Sequence, residues 1–73
     1  MYIAKREELR RRREERKMTM QGLSNAAGLP RNAVCRIENG TPPRTHPLRA
    51  KAIAEALQCE VTDIFTDEKE LSA

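Results

Sequence analysis

The sequence predicts a single, compact all-α domain, and three observations support that prediction. Apolar residues recur at helical spacing in three segments, residues 23–27, 34–37 and 48–57. Glycine and proline interrupt this pattern at Gly28 and again after Gly40, where turns would fall. With 73 residues, the chain is long enough for one small core but too short for an ordinary catalytic cleft beside it.

The first predicted helix is the charged segment at residues 5–17, KREELRRRREERK. Glutamate and arginine stand four residues apart in it, as at Glu7 and Arg11, so salt bridges between adjacent turns would stabilise it. Arg10 to Arg13 would point to all sides of this helix, so at most one or two of them could reach a common partner. We expect most of the segment to be solvated, with Leu9 facing the core.

Residues 19–39 predict two short helices joined by a tight turn. Thr19 is a good N-cap, because its hydroxyl can accept a hydrogen bond from a first-turn amide. Gly28 suits the sharp turn, since glycine adopts the left-handed conformation without steric cost. Pro30 suits the start of a second helix at residues 30–38, in which the apolar residues at 34 and 37 are buried. Gly40 would end that helix.

The remaining elements follow a proline-rich loop at residues 40–47. Pro47 can open a fourth helix, capped by Thr45 or His46 and ending near Gln58. Glu60 can cap a last short helical turn at residues 61–65, after which residues 67–73 form a polar tail. The predicted core consists of Leu9, Met18, Leu23, Leu29, Val34, Ile37, Leu48, Ile53, Leu57, Val61, Ile64 and Phe65.

The exposed face of the helix at 30–38 carries a polar stripe. Arg31, Asn32, Cys35 and Arg36 lie on the side opposite the buried residues. Arginine can donate two hydrogen bonds to guanine, and asparagine can pair in the same way with adenine. The alternative is that these residues are ordinary helix surface. Charge favours a polyanionic partner, because residues 1–38 carry ten Lys/Arg against five Asp/Glu, whereas the remainder carries four against six.

The order and spacing of these residues resemble the helix-turn-helix of the lambda-repressor and Cro (Xre-type) family. The positions that carry the resemblance are Leu23, Ala27, Gly28, Leu29, Val34, Ile37 and the run Glu38-Asn39-Gly40. The resemblance implies a compact five-helix DNA-binding domain over residues 1–66, with a structural ion pair between Arg13 and Glu38. It also implies that the helix at 30–38 enters the major groove of double-stranded DNA.

Three positions depart from the family pattern. Met20 stands where the family usually has a glutamine that contacts phosphate, and the neighbouring Gln21 is a candidate substitute. Ser24 replaces a small alanine at the helix crossing, and its hydroxyl needs a partner. Pro30 replaces a serine or threonine that contacts phosphate. The candidate DNA-binding residues are therefore Arg31, Asn32 and Arg36 on base edges, Cys35 near a base or sugar, and Met20, Gln21, Pro30, Asn39, Thr41 and Arg44, with part of the arginine run, along the backbone.

One such module reads only a few base pairs, so we expect a homodimer on half-sites roughly 34 Å apart. Apolar residues near Ile64 and Phe65 are the candidate dimer contact. The expected function is transcriptional regulation, with repression favoured because no activating domain is evident. Two alternatives remain open: an antitoxin or co-regulator acting through a protein partner, and a DNA-bending accessory of recombination or replication.

Composition excludes several other classes. We expect no enzyme, because the sequence lacks paired carboxylates, a Ser/His or Cys/His pairing and a phosphate-binding glycine loop. Two cysteines and one histidine do not have metal-ligand spacing, so no metal or other cofactor is expected, and no small-molecule ligand. Without a signal peptide or a long apolar run, the predicted location is the cytoplasm of a prokaryotic or phage-infected cell, at the nucleoid, with no membrane contact.

Overall fold

The computed structural model describes residues 1–39 and 44–71, which form a mostly helical domain with one small sheet. The helices are α1 (Arg6–Glu15), α2 (Met20–Ala26), α3 (Ala33–Asn39), α4 (Pro47–Ala56), α5 (Val61–Ile64) and α6 (Glu68–Leu71), and the strands are β1 (Tyr2–Ala4), β2 (Arg44–Thr45) and β3 (Phe65–Asp67). The predicted helical architecture and its helix-turn-helix are therefore confirmed. The prediction of an all-α fold is wrong in one respect, which is the sheet.

The sheet joins the two ends of the chain. β1 is its central strand, and it pairs antiparallel with β2 through Tyr2 and Thr45 and with β3 through Ile3 and Thr66. Phe65 was predicted to end a helical turn, but its φ of −134° and ψ of 154° are those of a strand. Strands of two or three residues are too short to show an alternating pattern, so local periodicity does not predict them.

The segment after residue 66 also differs from the predicted polar tail. Asp67 is the last residue of β3, and residues 68–71 form α6. The Glu68 amide donates to the Met1 carbonyl at 3.0 Å, and the Lys69 amide donates to Asp67 Oδ1 at 2.9 Å. Backbone hydrogen bonds therefore tie this segment to the first residues of the chain.

The core lies between the helices and the sheet. Its completely buried side chains include Leu9, Leu23, Val34, Ile53, Ile64 and Phe65. Phe65 packs edge-to-face with Tyr2, at a ring-centroid distance of 6.3 Å. The predicted dimer contact was a set of uncovered apolar residues near Ile64 and Phe65, but these two side chains are 0% exposed and do not contribute to such a contact. They are part of the domain's own core.

Leu48 was predicted to be in the core, but it is 73% exposed. The buried residues of α4 are Ala50, Ile53, Ala54 and, just beyond its end, Leu57. These positions follow the i, i+3, i+4, i+7 pattern of one helix face. Leu48 lies two residues before Ala50, which places it on the opposite side of the helix.

The ends of α4 and α5 agree with the sequence. His46 Nδ1 accepts a hydrogen bond from the Leu48 amide at 3.2 Å, with Pro47 at the first helical position. Gln58 has a φ of 54°, which ends the helix in the left-handed region. At the start of α5, the Glu60 amide donates to Asp63 Oδ2 at 3.0 Å. These caps position the C-terminal half against α1 and α2.

Candidate nucleic-acid interface

The helix-turn-helix consists of α2, a turn and α3. Thr19 Oγ1 accepts from the Gly22 amide at 2.9 Å, which caps α2 as predicted. Gly28 has a φ of 71°, and the Leu29 amide donates to the Ser24 carbonyl at 2.9 Å to close the turn. These contacts confirm the predicted motif.

The second helix begins later than predicted. Pro30 to Asn32 form a turn in which the Ala33 amide donates to the Pro30 carbonyl at 2.9 Å, and α3 starts at Ala33. The Arg36 amide donates a hydrogen bond to the Asn32 carbonyl at 3.0 Å, with the four-residue spacing of an α-helix. Asparagine is favoured immediately before a helix, which explains a start after Asn32 rather than at Pro30. The predicted boundary at residue 30 is therefore corrected to 33.

The predicted polar stripe lies on the outer side of this turn and helix. Arg31, Asn32 and Arg36 are exposed, and Cys35 is half-buried. The inner side of α3 is buried in the core through Ala33, Val34 and Ile37. The segment thus presents two guanidinium groups and one amide to the surroundings, which are groups able to pair with base edges.

Ser24 fixes the start of α3 against α2. Its buried hydroxyl donates to the Met20 carbonyl at 3.0 Å and accepts from the Val34 amide at 3.0 Å. Amides in the first turn of a helix have no partner within the helix. The Ser24 hydroxyl supplies that partner, and its own need for one, noted from the sequence, is met by the same contacts.

Arg13 and Glu38 fix the other end of α3 against α1. Arg13 Nε donates to Glu38 Oε2 at 2.8 Å, and its Nη2 donates to Oε1 at 3.3 Å. The two side chains are only 10% and 6% exposed. Arg13 Nη1 also donates to the Met18 carbonyl at 2.8 Å, ahead of α2. One buried guanidinium therefore contacts both the segment before α2 and the end of α3.

Two candidate residues of α2, Met20 and Gln21, contact candidates in α3 and in the turn before it. With its amide oxygen turned toward Arg31, exposed Gln21 accepts from Arg31 Nη2 at 2.9 Å and also from its Nε. Asn39 Nδ2 lies 3.9 Å from Met20 Sδ and 3.6 Å from Cys35 Sγ. The structure thus brings these residues together on one side of the motif, with Gln21 orienting Arg31.

The arginine run of α1 is occupied by intramolecular contacts. Arg11 pairs with Glu8 and Glu15, and Arg12 Nε lies 3.0 Å from Glu8 Oε1. The hydrogen bond from Arg11 lowers the pKa of the Glu8 carboxyl, so this partner stays ionised. Further along the run, Arg10 pairs with Glu14, and Arg16 contacts Gln58. A phosphate contact by this run would have to displace carboxylates that are already in place.

Of the two candidate DNA-backbone contacts in the loop, Arg44 lies within the described residues and Thr41 does not. Arg44 lies in β2, where its Nη2 is 2.7 Å from Glu68 Oε1 in α6. This ion pair offsets the positive charge that a backbone contact would use. Thr41 lies outside the described residues, as does Gly40, the predicted stop of the helix.

Comparison with known proteins agrees with this geometry. A profile of the Cro/C1-type HTH DNA-binding domain matches residues 8–70. The chain belongs to the Cro/C1-type helix-turn-helix family. The HTH-type transcriptional repressor RghR of Bacillus subtilis (strain 168) is 42% identical over 52 residues, which cover 71% of this chain and 38% of that protein. The chain therefore spans well under half the length of the curated relative it matches.

The structure places one basic residue beside the candidate interface that sequence reasoning did not indicate. Arg49, in the first turn of α4, lines a cleft together with Pro30, Arg31, Asn32, Ala33 and Arg36. From the sequence alone, Arg49 would be interpreted only as an exposed charge on an amphipathic helix. Proximity to α3 arises from the packing of the fold, which no local pattern reveals.

Metal-ligand groups and membrane-spanning helices are both absent from the described part of this domain. Residues 1–39 and 44–71 contain no group of three or more His, Cys, Asp or Glu side chains placed to hold a metal ion. Within the same residues, every helix is too short or too polar to span a bilayer. Both cysteines, Cys35 and Cys59, are free thiols.

Proposed function

We propose that this Cro/C1-type domain is a sequence-specific transcriptional regulator that reads the major groove of double-stranded DNA with α3 and the turn before it. The observation that carries the proposal is the pairing of a buried inner face of α3 with an outer face bearing Arg31, Asn32 and Arg36. An α-helix with its side chains is about 10–12 Å wide, and the major groove is about 12 Å wide, so the two fit.

The roles follow from side-chain chemistry. Arg31 and Arg36 donate to guanine O6 and N7, and Asn32 pairs with adenine N6 and N7. Gln21 supports Arg31 from α2, because its carbonyl accepts from the guanidinium while leaving other donors available. Asn39 and Cys35 lie on the same side of α3. Asn39 contacts the DNA backbone, and Cys35 approaches a base or sugar.

Repression and a dimeric state are part of the proposal. The relative named above is a transcriptional repressor. A domain that binds promoter DNA can repress transcription simply by occupying the promoter. One module buries too little surface for tight specific binding, so two copies on half-sites roughly 34 Å apart are expected. With Ile64 and Phe65 buried, the dimer contact must be formed by other residues.

The test is selection of binding sites from random duplex DNA, followed by affinity measurements on the enriched sequence. Loss of a bidentate arginine or asparagine contact costs about 1–3 kcal/mol, or roughly 5- to 150-fold in affinity. Arg31→Ala and Asn32→Ala should each lose that much and relax the preference at one base pair. Arg16→Ala is the matched control, since Arg16 contacts Gln58 rather than α3.

Two results would contradict the proposal. Binding without an enriched sequence, weakened equally by salt for all duplexes, would leave only nonspecific electrostatic attraction. A wild-type domain that folds yet binds no DNA would favour the alternative in which a protein partner is the main ligand. Enrichment of a palindrome would support the twofold dimer.

A further inference from the structure

The cleft between α3 and α4 differs from the rest of the surface in its charge. Arg31 and Arg36 contribute from the turn and α3, and Arg49 contributes from the first turn of α4. The cleft encloses about 170 Å³, and all three arginines are exposed at its mouth. A water molecule occupies about 30 Å³ in the liquid, so the cleft has room for one phosphate group with some solvent.

The arginines of this cleft lack carboxylate partners. Within residues 1–39 and 44–71, the side chains of Arg36 and Arg49 make no hydrogen bond or ion pair, and the Arg31 side chain contacts the neutral Gln21. The residues that line the cleft include no Asp or Glu. By contrast, Arg10 to Arg13 in α1 and Arg44 in β2 contact carboxylates. Among the described residues, Lys17 and Lys51 also lack an ion-pair partner, but this cleft is lined by three arginines at once and by no carboxylate.

Converging guanidinium groups repel one another, and an anion between them removes that cost. Guanidinium groups match the geometry of phosphate oxygens through two parallel N–H bonds. The cleft opens directly beside the stripe that faces the proposed major groove. A DNA strand bordering that groove would place a backbone phosphate at this opening.

We propose that the cleft binds one phosphate of the DNA backbone and that Arg49 is a positioning residue of the interface. This inference rests on the proposed function, because it takes the bound strand to be the edge of the groove that α3 reads. Arg49 donates to the phosphate and so fixes the register of the domain on DNA, while Arg31 and Arg36 donate to the bases and contribute only their charge at the cleft. The positively charged side chains that contribute to DNA affinity are then those of α3, the turn before it and α4, rather than the arginine run of α1.

The test measures DNA affinity over a series of salt concentrations for wild type, Arg49→Ala, Arg49→Lys and Arg16→Ala. Each phosphate contact contributes about 0.9 to the slope of log K against log salt on duplex DNA. Arg49→Ala should lower that slope by about 0.9 on specific and nonspecific DNA alike, and leave the selected sequence unchanged. Arg49→Lys keeps the charge and should retain most of the slope, and Arg16→Ala should match wild type.

The outcomes separate this inference from the proposed function. If wild type binds no specific sequence, the proposed function fails. If wild type is specific and Arg49→Ala keeps the full slope, the phosphate contact at Arg49 is overturned. A changed preference at one base pair would instead make Arg49 a base reader, which also overturns it.

A free anion is the remaining source of a phosphate group. Thermal unfolding of wild type and Arg49→Ala in inorganic phosphate, against chloride at equal ionic strength, tests this source. Equal melting temperatures in the two salts would show that free phosphate does not occupy the cleft, and a lower DNA slope for Arg49→Ala would then assign the cleft to DNA phosphate. Stabilisation of wild type alone by phosphate, with an unchanged DNA slope, would assign the cleft to a small anion. Because Arg49 is exposed, Arg49→Ala and Arg49→Lys should both fold. Arg49→Gln serves as a second uncharged variant.

Discussion

Removal of the Glu38 carboxylate should destabilise the domain severely. Glu38→Ala removes the close counter-charge of the buried Arg13 guanidinium, since the side chains of the pair are 10% and 6% exposed. Arg13 then keeps the exposed Glu14 carboxylate, at 4.0 Å from its Nη2. Breaking a buried pair on one side costs about 3–5 kcal/mol. A domain of this length loses about 4–8 °C in melting temperature per kcal/mol, so the lower figure corresponds to about 12–24 °C.

The assay is urea unfolding followed by circular dichroism, with Glu14→Ala as the control. Glu14 belongs to an exposed pair with Arg10, in which the side chains are 62% and 67% exposed, and it approaches Arg13 Nη2 only at 4.0 Å. Exposed pairs contribute at most about 1 kcal/mol. The difference between the two variants therefore isolates the effect of burial on the same residue type.

A double variant checks the physical reason. Replacing both members by apolar residues of similar size, as in Arg13→Met with Glu38→Leu, removes the charges and should recover much of the loss. Recovery will be incomplete, because the Met18 carbonyl also loses its hydrogen bond from Arg13. The reasoning is refuted if Glu38→Ala costs no more than Glu14→Ala, or if the double variant is less stable than either single variant.

Three other predictions concern the turn and the cysteines. Ser24→Ala should cost about 1–3 kcal/mol in urea unfolding, because the buried Val34 amide loses its acceptor; a loss below that would show that another group replaces the hydroxyl. Gly28→Ala should cost about 1–2 kcal/mol through its positive φ alone, since an added Cβ would meet nothing within 4 Å, and Gly28→Asn should cost less. Burial raises the pKa of the Cys59 thiol, so the neutral form is favoured in the folded state. Alkylation of Cys59 near pH 8 should be slower folded than in urea, and the associated stability should fall as pH rises through the folded-state pKa; equal rates would contradict the burial effect.

The features predicted correctly from sequence depend on neighbours in the chain. Thr19, Gly28, His46 and Pro47 act on amides or dihedral angles within three residues of themselves. Residue type is sufficient for such effects, because a hydroxyl before a helix or a glycine in a turn has few alternatives. The helix-turn-helix was predictable for this reason.

The features missed depend on which distant segments meet. β1, β2 and β3 contain two or three residues each, and their pairing joins the two ends of the chain. Leu48 looked apolar enough for the core, but the register of α4 is set by Ala50 and Ile53. Arg49 gained its position from the packing of α4 beside the turn before α3. Local periodicity carries no information on any of these contacts.

The same distinction explains how the interface is held. Local capping forms α2 and the turn, but the position of α3 depends on two long-range polar contacts, Ser24 with the Val34 amide and Arg13 with Glu38. They hold opposite ends of a helix of seven residues, which is too short to be stable without tertiary contacts. A helix fixed in this way loses little conformational entropy when it binds. Variants that release one end of α3 should therefore lower DNA affinity even when the base-reading side chains are unchanged.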